Sequence, residues 1–134
     1  MIESVYYNTG IAGSYSLSSS NFYAKEVIKQ VSEKSMTGLM YASDFGYAIS
    51  GYTGNLSYSS ANSQMVNNWL FGQGYEWTMT AYSPSSPVYV HNIGGLSNNN
   101  ASFGYAVRPV LYLQSNVNKL SGDGTMASPY VLGM

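Results

Sequence analysis

The stretch "GYAVRPVLYL", residues 104–113, constrains this chain more than any other. It holds the sole arginine, Arg108, inside an apolar run and directly before a proline. Val107, Val110, Leu111 and Leu113 give it the strongest strand signal in the sequence, and such a run reads as core. An unpaired charge there costs several kcal/mol, so the guanidinium needs a carboxylate. Asp44 and Glu76 are the only acids between residues 34 and 122. Asp44 is the expected partner, because it follows a core strand in the turn "YASDFGYA" and a turn aspartate also accepts backbone N–H bonds. The pair would be structural. Pro109 cannot donate to a ladder, so the strand is at an edge there or carries a bulge.

Charge is scarce elsewhere too. Charged residues make up 8% of 134 and the net charge is −1, which leaves no electrostatic footprint for nucleic acid or acidic lipid. With 45% apolar residues, 14 tyrosines and two tryptophans, the chain can still bury a core, so disorder is not implied. One domain spanning 1–134 is expected from the length. The surface must then consist of Ser, Asn, Thr, Tyr and Gly. Cysteine is absent, which rules out disulfides and thiolate metal sites. No run is long or apolar enough for a membrane span or a signal peptide, so any export signal would lie upstream of Met1.

Hydrophobic spacing places the elements. Ser4 to Tyr7 reads as a short strand. Ala24, Val27, Ile28 and Val31 recur at helical spacing with Lys25, Glu26, Lys29 and Glu33 facing away, predicting an amphipathic helix. Leu39 to Tyr41 reads as a buried strand. Met65, Val66, Trp69 and Leu70 fall on one side of two helical turns, with Asn62 or Ser63 as cap and Gly72 as stop. In "YEWTMTA", Tyr75, Trp77, Met79 and Ala81 alternate with Glu76, Thr78 and Thr80, predicting a strand with one buried face. "VYVHNIGGLS" reads as two strands around a Gly94-Gly95 turn, and "SGDGTMASPYVL" as a turn with a closing strand. Strands mixed with two short helices and long loops make an α+β domain.

"MIESVYYNTG", "GLMYASDFGYA", "NNWL", "YEWTMTA", "AVRPVLYLQSNV" and "SGDGTMASPYVL", in that order, resemble the C-terminal domains of bacterial surface and pilin-like proteins. The aromatic strand "WTMTA", the hairpin and "GYAVRPVLYL" are in turn similar to the C-type-lectin-like fold of formylglycine-generating-enzyme-like domains and of the variable proteins of diversity-generating retroelements. The resemblance implies a C-type-lectin-like α+β domain with small mixed and antiparallel sheets, carried by a longer extracellular or cell-surface protein. Copper chemistry of the formylglycine-generating type needs cysteines that this chain lacks.

Catalysis finds little support. His91 is the single histidine and has no second one with which to hold a metal. Asp123 in "SGDGT" lacks the alternating acidic ligands of a calcium loop, and a Gly-Asp-Gly turn is the better reading. No catalytic residue, metal or cofactor is assigned.

Residues 80–106, "TAYSPSSPVYVHNIGGLSNNNASFGYA", contain no Lys, Glu, Gln, Met or Trp, although those types make up 21 of the 134 residues. Randomising the adenines of an Asn codon can produce Asn, Ser, Tyr, His, Phe, Ile, Gly, Val and Ala but none of those five, which is how retroelement variable segments look. Ordinary turn composition would give a similar stretch, and both readings place it outside. Tyr with Ser, Asn and Gly also suits binding loops, because tyrosine offers rigid amphipathic area and the small polar residues adaptable hydrogen bonds. Tyr82, Tyr89, His91, Asn92, Asn98, Asn99, Asn100, Phe103 and Tyr105 are therefore the candidate ligand-binding residues. The expected role is adhesion or ligand binding without catalysis, toward protein or carbohydrate on another cell or host surface. The competing role is a filament or virion subunit that self-assembles through its Tyr- and Asn-rich surface.

Overall fold

A computed structural model describes residues 2–60, 65–125 and 127–134. The architecture is α+β, with two helices and small antiparallel sheets among the described residues. Strand β1 (Ile2–Glu3) leads into β2 (Val5–Asn8), helix α1 (Ser19–Glu26), β3 (Gln30–Ser35), β4 (Gly38–Leu39) and helix α2 (Ala42–Tyr47). Short 3₁₀ turns at Tyr58–Ser60 and Met65–Asn67 precede β5 (Glu76–Ser83), β6 (Ser86–Val90) and β7 (Leu96–Asn98). The chain continues through β8 (Pro109–Val110), β9 (Tyr112–Leu113), β10 (Asn118–Ser121) and β11 (Val131–Gly133).

The largest sheet is β5-β6-β7, and its two faces differ in kind. Val88, Val90 and Leu96 on one face are fully buried against Phe22, Met40, Phe45, Leu56 and Met65. That face of β5 is the polar one, Glu76, Thr78 and Thr80, which reverses the expected burial. Each of these three side chains has a partner, which removes most of the cost of burying it. Thr78 Oγ1 donates to the Val88 carbonyl at 2.8 Å, and Thr80 Oγ1 takes the Ala42 N–H at 2.9 Å while donating to buried Glu26. Trp77, Met79 and Ala81 are only half-buried.

Local periodicity misplaced the first helix by about five residues. Helix α1 starts at Ser19 and stops at Glu26, with Phe22 fully buried, while Val27 and Ile28 are exposed. From Gln30 the chain turns extended and pairs with β2, Val5 opposite Ser35 and Asn8 opposite Gln30. The ladder with β2 outweighs a modest helical preference in a segment with three β-branched residues, Val27, Ile28 and Val31. Glu26, expected on the solvent face, is buried beneath α2. It accepts the Ser43 N–H and the hydroxyls of Ser43 and Thr80.

Residues 42–47, expected as a turn, form helix α2, and Asp44 belongs to its start: the Tyr41 N–H donates to Asp44 Oδ2 at 2.8 Å. In "NSQMVNNWLFG" only Met65–Asn67 is helical among the described residues, and as a single 3₁₀ turn. Met65 and Leu70 are buried, but Trp69 is 77% exposed. The expected caps Asn62 and Ser63 lie outside the described residues.

"AVRPVLYL" is broken into two short strands. Strand β8 pairs with β4, and after Leu111 β9 pairs with β1, Ile2 opposite Leu113. Val107, Leu111 and Leu113 are exposed and only Val110 packs on the core. Pro109, lacking a donor, is confined to a strand with one neighbour, as its chemistry requires. Among the described residues, no helix is long and apolar enough to cross a membrane.

Candidate functional site: an aromatic sheet face

Ladder register builds the outward face of the β5-β6-β7 sheet. Trp77 stands opposite Tyr89, and Tyr89 opposite Ser97, so these three side chains share one side. The period of two adds Tyr75 and His91 to the same side. Val90 pairs with Leu96 on the core side, and the β6–β7 turn closes through Gly94 and Gly95. Their φ angles of 84° and 77° lie in the left-handed region that glycine tolerates, as expected for this turn.

Three flanking segments extend the face. Residues 11–13 run beside the end of β5, the Ala12 N–H donating to the Ala81 carbonyl at 2.8 Å, and so bring Tyr15 near Tyr82. Ser57 bridges to Leu96, which places Tyr58 flat against His91 at 4.7 Å. Ala106 bridges to Glu76, with the Trp77 N–H donating to the Ala106 carbonyl at 2.9 Å and the Ala106 N–H to the Tyr75 carbonyl at 3.0 Å. That clamp sets Tyr105 among Tyr75, Trp77 and Tyr89, at ring separations of 5.0, 4.7 and 4.8 Å.

Arg108 holds the clamp in place. Its Nε lies 2.8 Å from Glu76 Oε1, its Nη2 donates to Glu76 Oε2 at 3.0 Å and its Nη1 to the Leu70 carbonyl at 3.0 Å. The partner is therefore Glu76 and not Asp44. Asp44 is exposed and its carboxylate caps α2, whereas Glu76 is buried in the strand beside which residues 105–107 run. A fork of N–H donors meeting both carboxylate oxygens is the strong form of such a pair. Gly72 leaves room for it: a Cβ there would sit 3.0 Å from Arg108 Nη2.

The outcome is an unbroken chain of aromatic rings: Tyr82, Tyr15, Tyr58, His91, Tyr75, Tyr89, Trp77, Tyr105 and Phe103. Five of these were expected from the sequence. Tyr89 differs from the expectation in being the buried centre of the cluster, 7% exposed, while Phe103 at the rim is 50% exposed. Burial raises the Tyr89 phenol above its ordinary range, opposed by a hydrogen bond with Ser97. Burial also lowers His91 below its ordinary value, which disfavours the charged imidazolium. Its Nδ1 accepts from the Ile93 N–H at 3.4 Å.

The asparagines divide. Asn99 Nδ2 donates to the Tyr105 hydroxyl at 3.0 Å and so belongs to the face. Asn100 is exposed beside it and shapes the loop, its Oδ1 accepting the Ser102 N–H at 3.0 Å. Asn92 is exposed next to His91 in the turn. Asn98 pairs with Val88, and the register puts it on the opposite side of the sheet from the rings. Tyr15, Tyr58, Tyr75 and Trp77 were missed as site residues. Tyr75 and Trp77 carry a signal in their alternation with Tyr89 and His91 across a hairpin; Tyr15 and Tyr58 carry none, since tertiary bridges bring them in.

Asp123 organises a turn, its Oδ1 accepting from the Thr125 N–H and hydroxyl at 3.0 and 2.7 Å, and those bonds lower its carboxyl below the ordinary range. No protein-family model, curated protein or solved structure matches the chain.

Proposed function

We propose that the chain is an extracellular, non-enzymatic ligand-binding or adhesion domain with a C-type-lectin-like fold, borne by a surface or pilin-like protein and binding through the aromatic sheet face. One observation carries the reading: nine rings from five separate segments join in one continuous cluster centred on the outward side of the β5-β6-β7 sheet, and the cluster is left open at Tyr75 and Phe103. A fold has no packing reason to leave such a cluster uncovered, and aromatic area rimmed by amides is what binding surfaces use. The three segments behind the lectin-like resemblance, "WTMTA", the hairpin and "GYAVRPVLYL", also assemble here, joined by Arg108 and Glu76.

The ring face is built of uncharged aromatic side chains and one imidazole whose charged form burial disfavours, which suits the CH faces of a neutral sugar or an apolar protein surface. Retroelement diversification of residues 80–106 fits the same face, because that stretch supplies Tyr82, Tyr89, His91, Phe103 and Tyr105. Screening the chain on a mixed glycan and surface-protein array tests the proposal. Tyr75→Ala combined with Phe103→Ala should weaken any captured ligand at least about tenfold with the fold intact, the loss expected when anchoring aromatics leave a binding surface. Unchanged binding would show that this face is not the site.

A further inference from the structure

Among the described residues of 107–134, none is buried. Among the described residues, strands β10 and β11 pair only with one another, Asn118 opposite Gly133 and Lys119 opposite Leu132, and Leu120, Val131 and Leu132, with Met134 after them, stand in solvent beside Tyr130. A two-stranded hairpin is marginal in water by itself, so apolar side chains on this one need a cover. On another part of the molecule, Met40, Tyr47, Trp69, Leu70 and Val110 line an open apolar groove of about 400 Å³. Asp44 is the one charged residue among its described lining. Lys119, held over the Tyr130 ring at 5.1 Å, is the one charged residue of β10 and β11.

We propose that the β10–β11 hairpin seats in the Trp69 groove of a second copy, with Lys119 of one copy facing Asp44 of the other. Both halves of the contact, alike in apolarity and opposite in charge, are present on one chain, which singles out a second copy as the occupant. A net charge of −1 sets no like-charge barrier to it. Asp44 keeps an oxygen for this role, since only Oδ2 is engaged with the Tyr41 N–H. Reciprocal seating closes a dimer; head-to-tail seating propagates a filament. The surface is separate from the aromatic face, so the proposal stands or falls independently of ligand binding.

Sedimentation velocity of the full chain over a dilution series tests it. The wild type should associate with rising concentration, and Leu120→Asp combined with Leu132→Asp should abolish this. Asp44→Lys and Lys119→Asp should each weaken association at least about tenfold, and an equimolar mixture of the two should regain it. In the mixture the two substituted side chains, again opposite in charge, face one another at one contact, while native Asp44 meets native Lys119 at the other. Since Asp44 also caps α2, circular dichroism checks the fold of that variant. Trp69→Ala, at an exposed position, probes the groove without touching the cap and should weaken association to a similar degree. A wild type that stays monomeric at every concentration, or a mixture no better than either variant alone, overturns the proposal. So does association that survives Trp69→Ala, or that is lost instead on Phe103→Ser.

Discussion

Replacing Arg108 with Met keeps the length of the side chain and removes its charge. The guanidinium makes two contacts with Glu76 and a third with the Leu70 carbonyl. Glu76 is 7% exposed and would lose its counter-ion. Removing one partner of a fully buried pair costs roughly 3–5 kcal/mol, but Arg108 is 37% exposed and water can reach the gap. A loss of about 2–3 kcal/mol is therefore expected. At this size roughly 3–5 °C of melting temperature corresponds to 1 kcal/mol, so the midpoint should fall by about 10 °C. Urea unfolding of wild type, Arg108→Met, Glu76→Gln and the double variant forms a cycle, and the double variant should recover about 1–2 kcal/mol relative to the sum. Near-UV circular dichroism should change with Arg108→Met as well, because the pair anchors the segment that holds Tyr105 among the rings. Arg108→Met and Asp44→Asn should instead be additive, as Asp44 serves the start of α2. Additivity of Arg108→Met with Glu76→Gln to within about 0.5 kcal/mol would refute the pairing argument.

Four other outcomes follow from the geometry. Tyr89→Ser should cost about 2–4 kcal/mol through loss of a buried ring, while Phe103→Ser should stay within about 0.5 kcal/mol, and thermal melts compare them directly. Burial raises the Glu26 carboxyl above its ordinary 4.5 despite three hydrogen bonds, so the fold favours the protonated form. Its contribution is full below that value and is lost as pH rises through the folded-state pKa; Glu26→Gln should flatten this part of the stability profile in urea titrations between about pH 4 and 8. Gly95→Ala, at φ 77° and with a Cβ about 2.8 Å from Tyr58 Cα, should destabilise by on the order of 1–3 kcal/mol in denaturant melts. If residues 80–106 diversify, sequences from many isolates should vary at Tyr82, His91, Asn92, Asn99, Asn100, Phe103 and Tyr105 and spare Val88, Tyr89, Val90 and Leu96; equal variation at both sets would count against the aromatic face.

Short-range chemistry was legible in the chain itself. Val5–Asn8, β5, the β6–β7 hairpin with its glycine turn, and the "SGDGT" turn with its closing strand all lie where alternation and turn residues place them. These features depend on neighbours a few residues away, which a sequence displays. The need of Arg108 for an acid was legible for a similar reason, since the cost of a bare charge beside apolar residues does not depend on the fold. Which acid answers it was not. Asp44 and Glu76 were equivalent as residue types, and only the run of residues 105–107 beside β5 brought one of them within reach.

The other departures share that physical origin. Residues 24–31 have a helical pattern, yet pairing with β2 draws the chain from Gln30 onward into a strand. In β5 the apolar side was the natural candidate for the core, but partners from α1, α2, β6 and Arg108 satisfy the polar side, and the apolar side becomes the aromatic face. Tyr15 and Tyr58 lie far along the chain from the hairpin and reach it only because bridges at Ala81 and Leu96 draw their segments to the sheet edges. Sequence alone determined that strands, turns and an ion pair had to exist, since propensity and desolvation act locally. Tertiary structure decided the partner of each and the side of the sheet that meets water, because those choices belong to hydrogen-bond ladders and packing between segments far apart in the chain.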